Sequence, residues 1–223
     1  MGCGGIKSIT IPNTVTNIES YAFENCAAEI IWEANPTIKI FASQVFAGYK
    51  GTKLTIPRSV DTIIHRAFAN CAAEIVWEDN PAITTFDFNA FEDYLGKKLI
   101  IPRGVKEINP EAFKNCTAEI VWEDNPSITK LILSFVGYKG ANITIPDSVT
   151  FINQAFKDCV NLKSIIIPES VDEVICDTFL GCDKDLIIYC RRTSKTPRWM
   201  ENWDLVKKGL LKKRATVVWG YKD

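Results

Sequence analysis

Eight cysteines, one histidine and 27 acidic side chains are the groups in this 223-residue chain that could carry covalent, metal or acid–base chemistry. A Cys–His or Ser–His nucleophile needs a base within hydrogen-bond reach. The one imidazole available is His65, in the stretch DTIIHRAF. Its equivalents in the neighbouring segments include Pro110, which marks an ordinary surface slot rather than a catalytic position. Cys176, Cys182 and Cys190 lack the paired close spacing of zinc ligands and have no histidine beside them. The carboxylates recur as ladders, not as a convergent pair, and no Gly-rich loop runs from a strand into a helix. The expectation is a chain with no catalytic residues, no metal and no cofactor.

What the same residues reveal is spacing. Ile-Pro recurs at Ile11-Pro12, Ile56-Pro57, Ile101-Pro102, Ile145-Pro146 and Ile167-Pro168, and the last interval is half of the others. A period that halves means that the long unit is two short ones of about 22 residues, the range of leucine-rich-repeat solenoids. The A units read LTIPRSVDTIIHRAFANC and its kin. The B units carry AEIIWEANP, AEIVWEDNP and AEIVWEDNP, with Trp32, Trp77 and Trp122. Each unit ends in a phenylalanine: Phe23, Phe46, Phe68, Phe91, Phe113, Phe135, Phe156 and Phe179 mark eight coils.

Each coil is too small to bury its own apolar face, so the coils must stack, with equivalent residues ~4.8 Å apart. Alternation along Ile75-Val76-Trp77 sends Ile75 and Trp77 inward as core filler, and Asn-Pro ends the strand. Three residues after each Phe, cysteine and tyrosine alternate: Cys26, Tyr49, Cys71, Tyr94, Cys116 and Tyr138, followed by Cys159 and Cys182. Cysteines two coils apart lie ~9.6 Å from one another, beyond the ~7 Å reach of a disulfide, so Cys26, Cys71 and Cys116 read as buried thiols. Cys159 and Cys182 occupy successive coils, where a bridge is geometrically possible but not required.

The pattern I-x-I-P-x-S-V-x-x-I-x-x-x-A-F-x-x-C resembles the BspA-like leucine-rich repeat family of bacterial and protozoan surface proteins. The resemblance extends into IIYCRRTSKTPRWMENWDLVKKG, so it covers nearly the whole chain. It implies a right-handed leucine-rich-repeat solenoid, a β/α superhelix with a parallel β-sheet on one face and short helices and turns on the other. It also implies a protein-binding or adhesion module, at the cell surface or secreted. No signal peptide is visible in MGCGGIKSIT.

A solenoid sheet exposes one residue per strand between the two inward ones. These positions are Thr10, Ile31, Thr55, Val76, Ile100, Val121, Thr144 and Ile166, an unbroken β-branched stripe. Such side chains suit any pleated surface, but a contiguous apolar stripe also marks an interaction face. The expected partner-binding residues are Ile31, Thr55, Val76, Ile100, Val121 and Thr144, with Glu33, Glu78 and Glu123 as an acidic edge open to a basic partner. On the opposite border acid and base alternate from coil to coil, as in Lys53, Glu74, Lys98 and Glu119, which sets register.

The solenoid is expected over residues 1–183 and a capping segment over 184–223. In the latter, Thr196-Pro197 opens a helix whose apolar face is Trp199, Trp203, Val206 and Leu210, and residues 215–221 add an edge strand. Charge is uneven although the net is −1: the cap holds the basic cluster Lys207, Lys208, Lys212, Lys213 and Arg214, which reads as a solvated face. With near-neutral overall charge and no apolar run near the ~18 residues of a membrane span, a protein partner is expected, not nucleic acid or a bilayer. GGIKSITIP enters the repeat without a polar cap, so the chain is expected either to continue a longer protein or to self-associate through this end, as a structural or assembly module.

Overall fold

The computed structural model describes residues 5–207 and 212–222. The chain winds through nine coils, each contributing one strand to a main parallel sheet. In chain order these strands are Ser8–Ile11, Glu29–Trp32, Lys53–Ile56, Glu74–Trp77, Lys98–Ile101, Glu119–Trp122, Asn142–Thr144, Ser164–Ile167 and Ile187–Cys190; Thr216–Trp219 then adds a tenth. A second parallel ladder on another face joins Ile40–Phe41, Thr62–Ile63, Thr85–Phe86 and Glu107–Ile108. It resumes through Lys130–Ile132, Phe151–Asn153 and Glu173–Val174.

The third side is built around the repeated phenylalanines. Their rings form one near-parallel column, with centroids 5.3, 5.8, 5.1, 5.5, 4.8, 5.5 and 5.8 Å apart from Phe23 to Phe179. Backbone bonds hold each turn to the next, as from Phe68 N–H to the Ala90 carbonyl (2.9 Å) and from Phe91 N–H to that of Ala112 (2.8 Å).

No helix occurs among the described residues, which corrects the expectation of short helices opposite the sheet and of a β/α superhelix. The reason is local. Two residues before and two after each Phe the backbone is left-handed, as at Arg66 (φ 58°) and Asn70 (φ 55°) around Phe68. A residue with positive φ ends a right-handed helical run, and the three residues between two such positions leave no room for one. The turn instead closes with short bonds, such as Ala67 N–H to Ile64 O and Cys71 N–H to Phe68 O. The later of the two positions is always Asn, Asp or Gly, the residues that tolerate this conformation best.

The capping helix expected over residues 196–210 is likewise absent where the chain is described; Leu205–Lys207 is a strand paired antiparallel with Lys213–Arg214. Leu210 and Lys208 lie outside the described residues. Trp199, Trp203 and Val206 continue the solenoid's own ladders: Trp199 bridges Val174 on the second face, Trp203 packs edge-on against Phe179 (6.2 Å), and Val206 O accepts from Gly181 N–H (3.0 Å). Trp199, Trp203 and Trp219 then close the end of the core as a cluster, with centroids 4.7 to 6.1 Å apart.

Cys26, Cys71, Cys116, Cys159, Cys182 and Cys190 are buried free thiols. Burial pushes the Cys71 and Cys116 thiols up to about 12, whereas unfolded thiols ionise near ~8.5. The unfolded state therefore loses these protons first, and the stability present below about pH 8.5 drains away as pH rises toward 12. The guanidinium midpoint of the reduced protein should fall steadily above about pH 8.5, and Cys116→Ala should flatten that fall.

Candidate interaction face

The main sheet is not one continuous ladder. Strands pair within A–B units, then separate: Ser8–Ile11 with Glu29–Trp32, Lys53–Ile56 with Glu74–Trp77, and Lys98–Ile101 with Glu119–Trp122. Only from Asn142–Thr144 onward, where no further B unit intervenes, do four strands run unbroken. The seams follow the tryptophans. Each indole folds inward and donates its Nε1–H to a carbonyl on the next coil's strand: Trp32 to Thr55 O (2.8 Å), Trp77 to Ile100 O (2.8 Å), Trp122 to Thr144 O (2.9 Å). A ring inserted where a ladder bond would lie holds the strands apart while satisfying one of the carbonyls it displaces.

At the other end of each seam stands a buried tyrosine. The hydroxyls of Tyr49, Tyr94 and Tyr138 donate to the carbonyls of Ala28, Ala73 and Ala118 at 2.8, 2.7 and 2.9 Å. Burial drives all three phenols well above their ordinary range, so they remain hydrogen-bond donors. Trp32 and Trp77 stack on Phe41 and Phe86, both at 6.0 Å. In the third B coil Leu131 takes that place, and Trp122 meets Phe135 edge-on at 6.3 Å instead. Replacing Trp77 by Phe should cost about 2 kcal/mol, from the lost indole bond plus lost ring volume; urea unfolding would measure it.

The outward stripe lies where alternation placed it. Register sets Thr10 beside Ile31, Thr55 beside Val76, Ile100 beside Val121, and Thr144 beside Ile166. It runs on through Tyr189 and Val218, which the repeat pattern did not flag because the cap strands lack Ile-Pro. Ile31 is 49% exposed and Val218 37%, Thr144 is exposed, and Thr55, Val76, Ile100 and Val121 are half-buried.

The glutamates of the expected acidic edge have structural work. Oε2 of Glu33, Glu78 and Glu123 accepts the backbone N–H of Asn13, Arg58 and Arg103 at 3.1, 2.9 and 2.9 Å, tying each B coil to the turn after the preceding Ile-Pro. Glu123 also lies 3.6 Å from Arg103 Nε. These carboxylates are thus partly satisfied within the fold. Glu29 makes a related link across the first seam, accepting from Thr52 N–H (2.9 Å), and that bond lowers its pKa.

The seams open as clefts on this face. One of about 970 Å³ lies at the third seam and brings together Val121, Trp122, Glu123, Thr144, Asp147 and Arg191. Arg191 Nη1 reaches Asp147 at 2.9 Å across its rim. A smaller cleft, over the paired strands Lys53–Ile56 and Glu74–Trp77, joins Thr55, Val76 and Glu78 beside Trp77. Ile31, Glu33 and Ile100 line neither of these two. His65 stands elsewhere, exposed, with Nδ1 3.0 Å from the Phe88 carbonyl. No group of three or more metal-ligating side chains gathers among the described residues, and they hold no helix long and apolar enough to cross a membrane.

Stacked parallel coils with a repeated Ile-x-Ile-Pro strand and a phenylalanine column define a solenoid of the leucine-rich-repeat class. The chain belongs to the BspA type leucine rich repeat family, whose signature matches in six copies over residues 1–119 and 133–196. Among curated proteins none matches it in sequence. Its fold is similar to that of the pneumococcal vaccine antigen PcpA (TM-score 0.59, 17% identity, 82% of this chain and 52% of that one). It is also similar to a leucine-rich repeat protein from Bacteroides ovatus ATCC 8483 (TM-score 0.53, 22% identity, 96% of this chain and 58% of that one). The chain thus spans somewhat more than half the length of each of these two relatives.

Proposed function

We propose that the chain is a noncovalent protein-binding module of adhesion type, used at the cell surface or after secretion, and that the main-sheet face is its contact surface. The observation that supports this most is the stripe from Thr10 to Val218, β-branched apart from Tyr189, bordered by the seam clefts. Contiguous apolar surface of this kind favours a protein partner, and the antigen status of PcpA, a protein of the same fold, accords with display at a surface. The reading assigns no catalytic, cofactor or metal role. With the glutamates partly engaged to backbone, recognition rests on the stripe and clefts more than on the acidic edge.

The double variant Val76→Asp/Val121→Asp tests it. Immobilised wild-type chain, this variant, and a control carrying Thr62→Asp on the second face would be exposed to biotin-labelled epithelial surface proteins. The expected result is a set of bands held by wild type and control and lost with the double variant, whose melting temperature stays close to wild type. Equal capture by all three would remove the sheet face from consideration.

A second reading, self-association through the first coil, is favoured by the exposure of Ile6 (53%) and Tyr21 (51%) there. Light scattering across a concentration series decides it: a dimer abolished by Ile9→Lys supports this reading, and a concentration-independent monomer sinks it.

A further inference from the structure

We infer that Cys159 and Cys182 form an inter-coil disulfide when the folded protein meets a disulfide oxidant such as oxidised glutathione. Elsewhere along this inner column a tyrosine separates one cysteine from the next: Tyr49 stands between Cys26 and Cys71, Tyr94 between Cys71 and Cys116, Tyr138 between Cys116 and Cys159. The seventh and eighth coils are both A units, so here cysteine follows cysteine with no tyrosine between them. Their coils are held in register by Asp158 N–H to Leu180 O (2.7 Å) and by the Phe156–Phe179 stack at 5.8 Å. Equivalent residues of coils stacked in this way lie ~4.8 Å apart, within the ~4.4–6.8 Å Cα range of disulfides.

The side chains point the same way. Cys159 Sγ lies 3.1 Å from Phe135 O and Cys182 Sγ 3.0 Å from Phe156 O, equivalent contacts displaced by one coil. Cys182 is among the groups that raise the Cys159 thiol, as a near neighbour would. Access is one-sided: Cys182 is 8% exposed and Cys159 fully buried.

The order of events follows. The Cys182 thiolate attacks one sulfur of oxidised glutathione, giving a mixed disulfide and releasing one glutathione thiolate. The Cys159 thiolate then attacks the Cys182 sulfur, forming the Cys159–Cys182 bond and expelling the second. The two protein protons pass to the departing thiolates; the cysteines are oxidised and one oxidised glutathione becomes two reduced ones. Burial holds the Cys159 thiol well above its ordinary value, so closure quickens as pH rises.

The test uses the wild-type full chain, incubated with oxidised glutathione under native conditions, then alkylated in denaturant and mapped by mass spectrometry. The expected product is a reducible peptide pair joining Cys159 to Cys182, with Cys71 and Cys116 still alkylated and a melting temperature raised by about 5 °C. Cys159→Ala should leave glutathione as a stable adduct on Cys182. Full alkylation of both residues after oxidation, or a dominant link from Cys176 or Cys190 to another partner, would overturn the assignment.

Discussion

Phe91→Ala should lower the unfolding free energy by about 4 kcal/mol, the range of a fully buried aromatic truncated to alanine. Phe91 has no exposed surface. It stacks on Phe68 (5.1 Å) and Phe113 (5.5 Å) and meets Phe86 and Tyr94 edge-on at 5.1 and 5.8 Å. Four aromatic contacts vanish at once, and the void sits in the middle of the column, where neither neighbouring coil can close it without breaking turn bonds such as Phe91 N–H to Ala112 O. Because each coil's apolar face is covered by its neighbours, the loss should also split denaturant unfolding into two phases. Phe23→Ala, at an end of the column with one stacked neighbour, should cost visibly less. Equal effects at the two positions would contradict a stability that resides in coil-to-coil stacking.

Gly96→Ala should cost about 3 kcal/mol, although it adds a single methyl. A Cβ at Gly96 would overlap the Tyr94 phenolic oxygen and lie 2.6 Å from its Cε1. The ring cannot retreat: it is fully buried, packs edge-on against Phe91, and its hydroxyl is bonded to Ala73 O. Gly51 and Gly140 stand in the same relation to Tyr49 and Tyr138, so all three seams share the vulnerability. By contrast, Gly5→Ala meets nothing within 4 Å; its cost should be limited to positive-φ strain. Chemical denaturation of the pair distinguishes a buried clash from a backbone preference.

Much of the architecture was legible in spacing. The Ile-Pro period, the eight phenylalanines and the inward direction of Trp77 correspond to strands, column and stacked indole in the structure. Two features were not, for physical reasons. The cap residues Trp199, Trp203 and Val206 are four and three apart, which reads as one face of a helix. The same interval separates Ile152, Phe156 and Cys159, residues of an ordinary coil turn, so amphipathic spacing and solenoid spacing coincide and only tertiary stacking decides between them. The seams were also hidden. Alternation fixes that Trp77 points inward, but not that its N–H reaches a carbonyl one coil away. The hint available was Tyr-x-Gly at 49–51, 94–96 and 138–140, always beside a tryptophan-bearing unit.

The sites of partner contact are less legible still. Thr55, Ile100 and Thr144 were singled out for their outward side chains, yet their carbonyls also receive the three indoles. Glu33, Glu78 and Glu123 looked free because a linear pattern cannot show the backbone N–H groups of the previous coil.

The seams also determine how such a chain can grow or shrink. A tryptophan-bearing strand presents its downstream neighbour with an indole N–H, while an Ile-Pro strand presents a plain ladder edge. Inserting or deleting a single coil in the N-terminal two-thirds would place two like surfaces against each other and leave carbonyls or donors without counterparts. Gain or loss of an A–B pair restores every junction. The natural quantum of duplication is therefore the 45-residue step seen between Ile11, Ile56 and Ile101, and past Ile145, where the B units stop, it becomes the single coil.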